Sequence, residues 1–366
     1  MSRKFIITFR TSGFTLIELL LVITILGIMS TLSISVVRQV YHTSRVEKTR
    51  TTIRKIDRVI MEMYANYDNR RVETNLSISS NASSEERARV TQAAILWCKR
   101  DLIRMEMPSN WDEIYQPNLR DGDDYTRFLF RIGGVIIASA DTQVSVSPLR
   151  QLYLATYNSA IERSDADTVN HFGSAKCLYL IVMYGNPEAR ELFFDHEIRT
   201  DEDGLSYFVD GWGNPIYFLR WASGLKLSDR QPDISDTATS EAMSDPLDPT
   251  EVGGRLKLKD SQLLWNQYSI ELGVSKDDPT HPTFHGWTLL PVIMSSGGYT
   301  GGNAPAAADD AADDGFWRNF GVQLYPTDDT GKKIPALVVD PFHWQLGAPL
   351  SNGANHNIIH NHMVLR

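Results

Sequence analysis

Two hydrophobic patterns follow one another at the start of the chain. From Phe14 to Val37 most positions are apolar, broken by threonines and serines, with Glu18 the one charged side chain and Gly27 the one glycine. As a helix this run is about 36 Å long at 1.5 Å per residue, enough for a hydrocarbon core of about 30 Å. Beyond Val37 the pattern becomes periodic. Ile53, Ile56, Ile60, Met63 and Tyr67 recur at spacings of three and four, one face of a 3.6-residue period. Arg50, Arg54, Lys55, Asp57 and Arg58 fill the other positions. The two patterns predict one helix from Phe14 to Tyr67, with a transmembrane half over 14–37 and an amphipathic half over 38–67 packed on a globular domain.

The remainder, 68–366, divides by texture. Residues 69–84 are polar and predict a loop. Ser83 and Glu86 have capping-box spacing, and the helix they open is expected to run to Met107 and stop at Pro108. Val90, Ile95, Cys98, Leu102 and Met105 give that helix its apolar face. Val135-Ile136-Ile137 fits strand or helix equally. Leu149–Glu162 and Ser174–Tyr184 read as helices, the second buried and ended by Gly185 and Pro187. These elements make 68–200 a helical part. From Ser206 the pattern turns to strands. Tyr207-Phe208-Val209 and Ile216-Tyr217-Phe218-Leu219 flank Asp210-Gly211-Trp212-Gly213-Asn214-Pro215, a hairpin signal. Residues 223–255 predict a long exposed loop, and 289–294 another strand. The expected class is α+β, with an antiparallel sheet in 201–366.

Composition narrows the picture. With 42% hydrophobic and 10% aromatic residues, the 366-residue chain is expected to fold beyond its first helix. The net charge of −9 comes without a basic patch, so no nucleic-acid partner is predicted. Arg3, Lys4 and Arg10 precede the apolar run, which argues for a cytoplasmic N-terminus, although Arg38, Arg45, Lys48, Arg50, Arg54 and Lys55 follow it. A secretory signal peptide has an apolar region of about 7–15 residues before its cleavage site. Ser33-Ile34-Ser35 would serve as such a site, but this run is longer and holds Glu18. A carboxylate at bilayer depth costs roughly 2.5–3.5 kcal/mol and calls for a partner. A plain membrane anchor explains the length of the run and leaves Glu18 unexplained.

Gly13-Phe14-Thr15-Leu16-Ile17-Glu18 ahead of such a run resembles the class III signal of type IV pilins and type II secretion pseudopilins. The resemblance implies a leader, 1–13, cut by a prepilin peptidase between Gly13 and Phe14, followed by methylation of Phe14. It implies that Glu18 pairs with the positive N-terminus of a neighbouring subunit during assembly. It further implies other pilin or pseudopilin subunits, an inner-membrane assembly platform and membrane lipid as partners. The fold it implies is pilin-like, the function structural and not enzymatic, and the globular domain periplasmic. Pilins often carry a proline some way into this helix; here Gly27, Ser30, Ser33 and Ser35 stand in that region. The alternative is a periplasmic enzyme or binding protein tethered by one helix.

Asp210, Trp212, Gly213, Asn214 and Pro215 resemble a structural turn of the major pseudopilins. There a strand, a glycine-rich loop and acidic residues that hold calcium come after it. Here Ser295-Ser296-Gly297-Gly298 and then Asp309, Asp310, Asp313 and Asp314 follow in that order. The resemblance implies calcium held by Ser296 and these aspartates, but the usual aspartate within the glycine loop is missing. A solvated acidic loop is the plainer reading of such a charge run. Cys98 and Cys177 suit either an oxidised periplasmic pair or two buried thiols. His356, His360 and His362 lie among Asn and Gly residues that disfavour a helix, so a polar tail is expected rather than a zinc site. No nucleophile elbow, phosphate loop or dinucleotide fingerprint occurs.

Overall fold

The structure, a computed structural model, describes residues 16–72, 74–115, 127–132, 135–141, 147–222, 247, 290–297 and 359–364. The chain forms two compact units, Met1–Glu47 and Lys48–Arg366. The long helix α1, Leu16–Asn69, runs through that boundary. Its predicted stripe is the buried one: Ile53, Ile56 and Ile60 are fully covered, and Tyr67 nearly so. Each such aliphatic side chain contributes about 1.5–3 kcal/mol by leaving water.

α2, Ser84–Glu106, starts at the capping box the sequence announced. The Glu86 N–H donates to Ser83 Oγ at 3.2 Å, and the Ser83 N–H donates to Glu86 Oε2 at 2.7 Å. It ends two residues before Pro108, with the Met107 N–H bonded to the Ile103 carbonyl. After it come the short α3, Asp112–Tyr115, then α4, Pro148–Ile161, and α5, Ala166–Asn170. α6, Gly173–Gly185, is covered almost all round, as a helix without a polar face must be. It packs on strands β5, Ser206–Phe208, and β6, Tyr217–Leu219.

Among the described residues there are three antiparallel sheets. β1, Asn75–Ile78, β2, Arg127–Ile132, and β3, Val135–Asp141, form one in the order β1-β3-β2, with a register irregularity at Phe130/Arg131. The part read as helical therefore contains a sheet, and the polar stretch read as a loop supplies its first strand. The second sheet pairs β4, Ile198–Thr200, with β5. The third runs β6, then β7, Val292–Ser295, then β8, Ile359–His360.

The predicted hairpin is half right. Its turn closes, because Val209 bridges Pro215 and the Ile216 N–H donates to the Phe208 carbonyl at 2.9 Å. Its two strands then separate. β5 pairs with β4, and Val209 donates to the carbonyl of Glu197, while β6 pairs with β7. Both aromatic strands are buried and so take partners in different sheets. The predicted strand at 289–294 is β7, moved slightly toward the C-terminus.

The expected polar tail is also different. β8 and the turn α7, Asn361–Val364, are buried at His360, Asn361 and His362. Asn361 Nδ2 donates to Asp57 Oδ1 of α1 at 2.6 Å and to the Pro291 carbonyl at 2.9 Å. Its Oδ1 accepts from the Ile293 N–H at 3.1 Å. Polar side chains with complete hydrogen bonds can be buried at little cost, and composition alone does not show this.

Candidate assembly site

The processing residues Gly13 and Phe14 lie outside the described residues. Glu18 sits in the first turn of the described part of α1. The side chains that follow face outward on every side of the helix. Leu16 is 82% exposed and Ile17 73%, and Leu19, Leu20, Leu21, Ile23, Leu26, Ile28 and Met29 are exposed as well. The hydroxyls in this stretch are turned back onto the helix: Thr24 Oγ1 donates to the Leu20 carbonyl at 2.6 Å and Ser30 Oγ to that of Leu26 at 2.7 Å. Such back-bonding hides a polar group from an apolar medium. At Gly27 an added Cβ would meet open space.

Among the described residues no helix is long and apolar enough to cross a membrane. Leu16–Ser30 gives roughly 22 Å of helix, short of the hydrocarbon thickness of about 30 Å. The predicted span also includes positions 14, 15 and 31–35, whose side chains lie outside the described residues.

The C-terminal half of α1 is held by polar contacts as well as by its stripe. Thr52 Oγ1 donates to Glu197 Oε1 at 2.6 Å, and Lys55 Nζ lies 3.0 and 2.8 Å from the two Glu197 oxygens. The Phe194 N–H adds a third donor at 2.9 Å. Burial works to raise the Glu197 carboxyl, but Lys55, Phe194 and Thr52 outweigh it and hold the group below the ordinary carboxylate range. Near the end of the helix, Tyr67 and Arg70 converge on buried Glu106 of α2. Tyr67 Oη donates at 2.7 Å, Arg70 Nη1 at 2.5 Å and Nη2 at 2.9 Å, and Ser147 Oγ completes the set at 2.6 Å. Sequence periodicity found the apolar stripe but placed Asp57 on the polar face; it is buried.

The turn at 210–215 forms a third attachment. Asp210 is 1% exposed, and its Oδ1 accepts the N–H groups of Trp212 at 2.8 Å and Asn214 at 2.9 Å. Ser295 Oγ donates to its Oδ2 at 2.7 Å. Burial raises the Asp210 carboxyl above its ordinary value, with these donors opposing. Gly213 has φ +88°, a conformation that glycine adopts without strain. The Gly211 N–H donates to Thr49 Oγ1 of α1 at 2.9 Å, and Asn214 Nδ2 donates to Ser296 Oγ at 3.3 Å. The turn thus binds the helix to β7.

Residues 8–34 match the family model described as the prokaryotic N-terminal methylation motif. The chain carries the prepilin-type cleavage and methylation motif. No curated protein and no solved structure matches it. The motif supports a type IV pilin-like or pseudopilin reading, and it implies processing by a prepilin peptidase and assembly with other pilin subunits. It also implies an N-terminal helix that anchors the chain in a membrane and a domain outside the cytoplasm. The α+β architecture, with a long N-terminal helix and antiparallel sheets, is consistent with a pilin-like fold.

Other sequence candidates fare differently in this prepilin-type chain. Cys98 and Cys177 are both buried thiols. Cys98 packs with α1 and Val90, Cys177 with Trp111 and Tyr153, in separate core clusters. Asp309, Asp310, Asp313 and Asp314 lie outside the described residues. Ser296 is described, nearly buried, and takes the Asn214 hydrogen bond. Among the described residues no group of three or more His, Cys, Asp or Glu is placed to hold a metal ion.

Proposed function

We propose that this chain is a structural subunit of a type IV pilus-like filament, specifically a type II secretion pseudopilin or a specialised minor pilin. The observation that carries the reading is the methylation motif at residues 8–34, with Glu18 in the first turn of an apolar helix exposed on all sides. The leader keeps Arg3, Lys4 and Arg10 in the cytoplasm while the helix lodges in the bacterial inner membrane. Cleavage after Gly13 gives Phe14 a positive amine, and methylation keeps that charge. A carboxylate without a partner in lipid is unfavourable, so pairing of Glu18 with a neighbour's N-terminus favours assembly. The domain from Lys48 onward lies in the periplasm, and an inner-membrane platform builds the filament. The turn at Asp210–Pro215 favours the pseudopilin branch, and the length of the domain favours a specialised subunit. Calcium at Asp309, Asp310, Asp313 and Asp314 with Ser296 belongs to the same proposal.

Intact mass and N-terminal analysis with and without a prepilin peptidase test it. The expected product begins at methylated Phe14. A cut after Ser35 would mean an ordinary secreted protein. An uncut chain beside active peptidase would leave a domain tethered by one helix.

A further inference from the structure

Lys176 of α6 is completely buried, yet its ammonium is surrounded by oxygen. Nζ lies 2.6 Å from Asp203 Oδ2, 3.1 Å from Asp201 Oδ2, 3.1 Å from the Thr168 carbonyl and 3.4 Å from the Val169 carbonyl. The two carboxylates come from the turn between β4 and β5, and the two carbonyls from α5. The turn is shaped before the cation is considered. The Asp201 N–H donates to the Leu205 carbonyl at 2.8 Å, and the Leu205 N–H donates to Asp203 Oδ1 at 2.8 Å. Gly204, at φ +80°, donates to the Asp201 carbonyl at 3.0 Å. Asp203 Oδ2 is thereby aimed inward, with the Asp203 side chain fully covered. Asp201 Oδ2 is buried and has no hydrogen bond among the described residues; its contacts are the charge of Lys176 and, at 4.0 Å, His171 Nδ1.

Two carboxylates and two carbonyls converging on one point are the ligands a hard divalent cation takes. Here a side chain has delivered the positive charge instead. We propose that the Asp201–Leu205 turn and the Thr168–Val169 carbonyls form a cation cage of the calcium type, with the Lys176 ammonium as its resident cation. Three elements, α5, α6 and the β4–β5 turn, then depend on an ion that cannot diffuse away. If the domain stands outside the cytoplasm, as proposed above, this part of the fold is independent of external calcium. Removal of the tether should uncover the latent preference. Lys176→Ala leaves the carboxylates facing each other across the space vacated by the side chain, and calcium with its waters can fill that space.

The test uses the full chain in detergent, with calcium and terbium as probes. Trp111 Nε1 donates to the Val169 carbonyl at 3.1 Å, so an ion in the cage sits near an indole that can sensitise terbium emission. In Lys176→Ala, calcium should raise the midpoint of thermal unfolding by several degrees and saturate at about 10⁻⁴–10⁻³ M, the range of extracellular calcium modules. Terbium emission excited through tryptophan should appear in that variant above the wild-type level. Adding Asp203→Asn should abolish both effects. Calcium bound elsewhere gives the same signal in wild type and variants, and so is separated from the cage. A Lys176→Ala chain that folds and gains neither response overturns the proposal. If Lys176→Ala is insoluble without calcium, recovery of soluble chain on expression and purification with 10 mM calcium supports it. If Lys176→Ala and Lys176→Ser both stay insoluble with calcium while Lys176→Arg folds, the proposal is overturned.

Discussion

α1 treats its two halves in opposite ways. Between Leu16 and Met29 its large apolar side chains are exposed, and its hydroxyls are folded back onto its own carbonyls. Between Thr49 and Tyr67 its apolar side chains are covered, and its polar ones reach out to Glu197, Glu106, Gly211 and Asn361. The same helical backbone serves two environments because polar groups are satisfied by different partners. The first half keeps its hydrogen bonds internal, as an apolar medium or a neighbouring helix demands. The second half directs them to the domain, where each fixes a register that apolar packing alone would leave loose.

Substitutions should reveal this difference in the thermal or denaturant unfolding of the detergent-solubilised chain. The largest loss is expected from Glu106→Ala. It leaves Tyr67 and Ser147 without their buried acceptor, at about 1–3 kcal/mol for each donor left unpaired, while the half-exposed Arg70 can turn to water. A loss below 1 kcal/mol would mean that this junction is looser than the geometry indicates. Next comes Ile56→Ala, at about 2–5 kcal/mol for a fully buried isoleucine. An equal loss from Leu19→Ala would erase the contrast between the halves.

Acid should act on the second half too. Burial lowers His360 to about 4, from an ordinary value of 6.5. The unfolded chain then binds the proton more readily, so stability is complete above about 6.5 and falls as the pH drops through about 4. Glu197, also lowered, adds a loss in the same direction at lower pH, while raised Asp210 opposes it because its folded form holds the proton more tightly. Replacing His360 with leucine should flatten the profile between pH 6.5 and 4; an unchanged slope would assign it to other groups.

Smaller effects mark the limits. Ser83→Ala removes the α2 cap and should cost about 1 kcal/mol. Leu19→Ala should stay within about 0.5 kcal/mol of wild type in the same unfolding assay, as exposed positions do.

The stripe from Ile53 to Tyr67 and the Ser83–Glu86 cap were legible in the sequence because both arise from neighbours within a few residues. Glu18 was legible because a lone charge stands out in an apolar run. β1 was missed because Leu76 and Ile78 alone alternate in a polar stretch. The split of the 207–219 hairpin was hidden because its partners, Ile198 and Met294, lie outside the pattern of the turn. The burial of Asn361 and His360 was hidden for a related reason: both look exposed until Asp57 and β7 are placed beside them. Lys176 gave no signal in the apolar helix beyond being its one charge; the carboxylates that hold it come from another element.

The bond from Asn361 to Asp57 spans 304 positions. At a synthesis rate of about 5–20 residues per second, Asp57 waits roughly 15–60 s for this partner to be made. The long helix α1 is made long before Asn361 is there to close on it. During that interval the α1 stripe is transiently exposed apolar surface of the kind that favours aggregation. A ribosome that stops before Asn361 would therefore leave Asp57 of α1 without this amide donor.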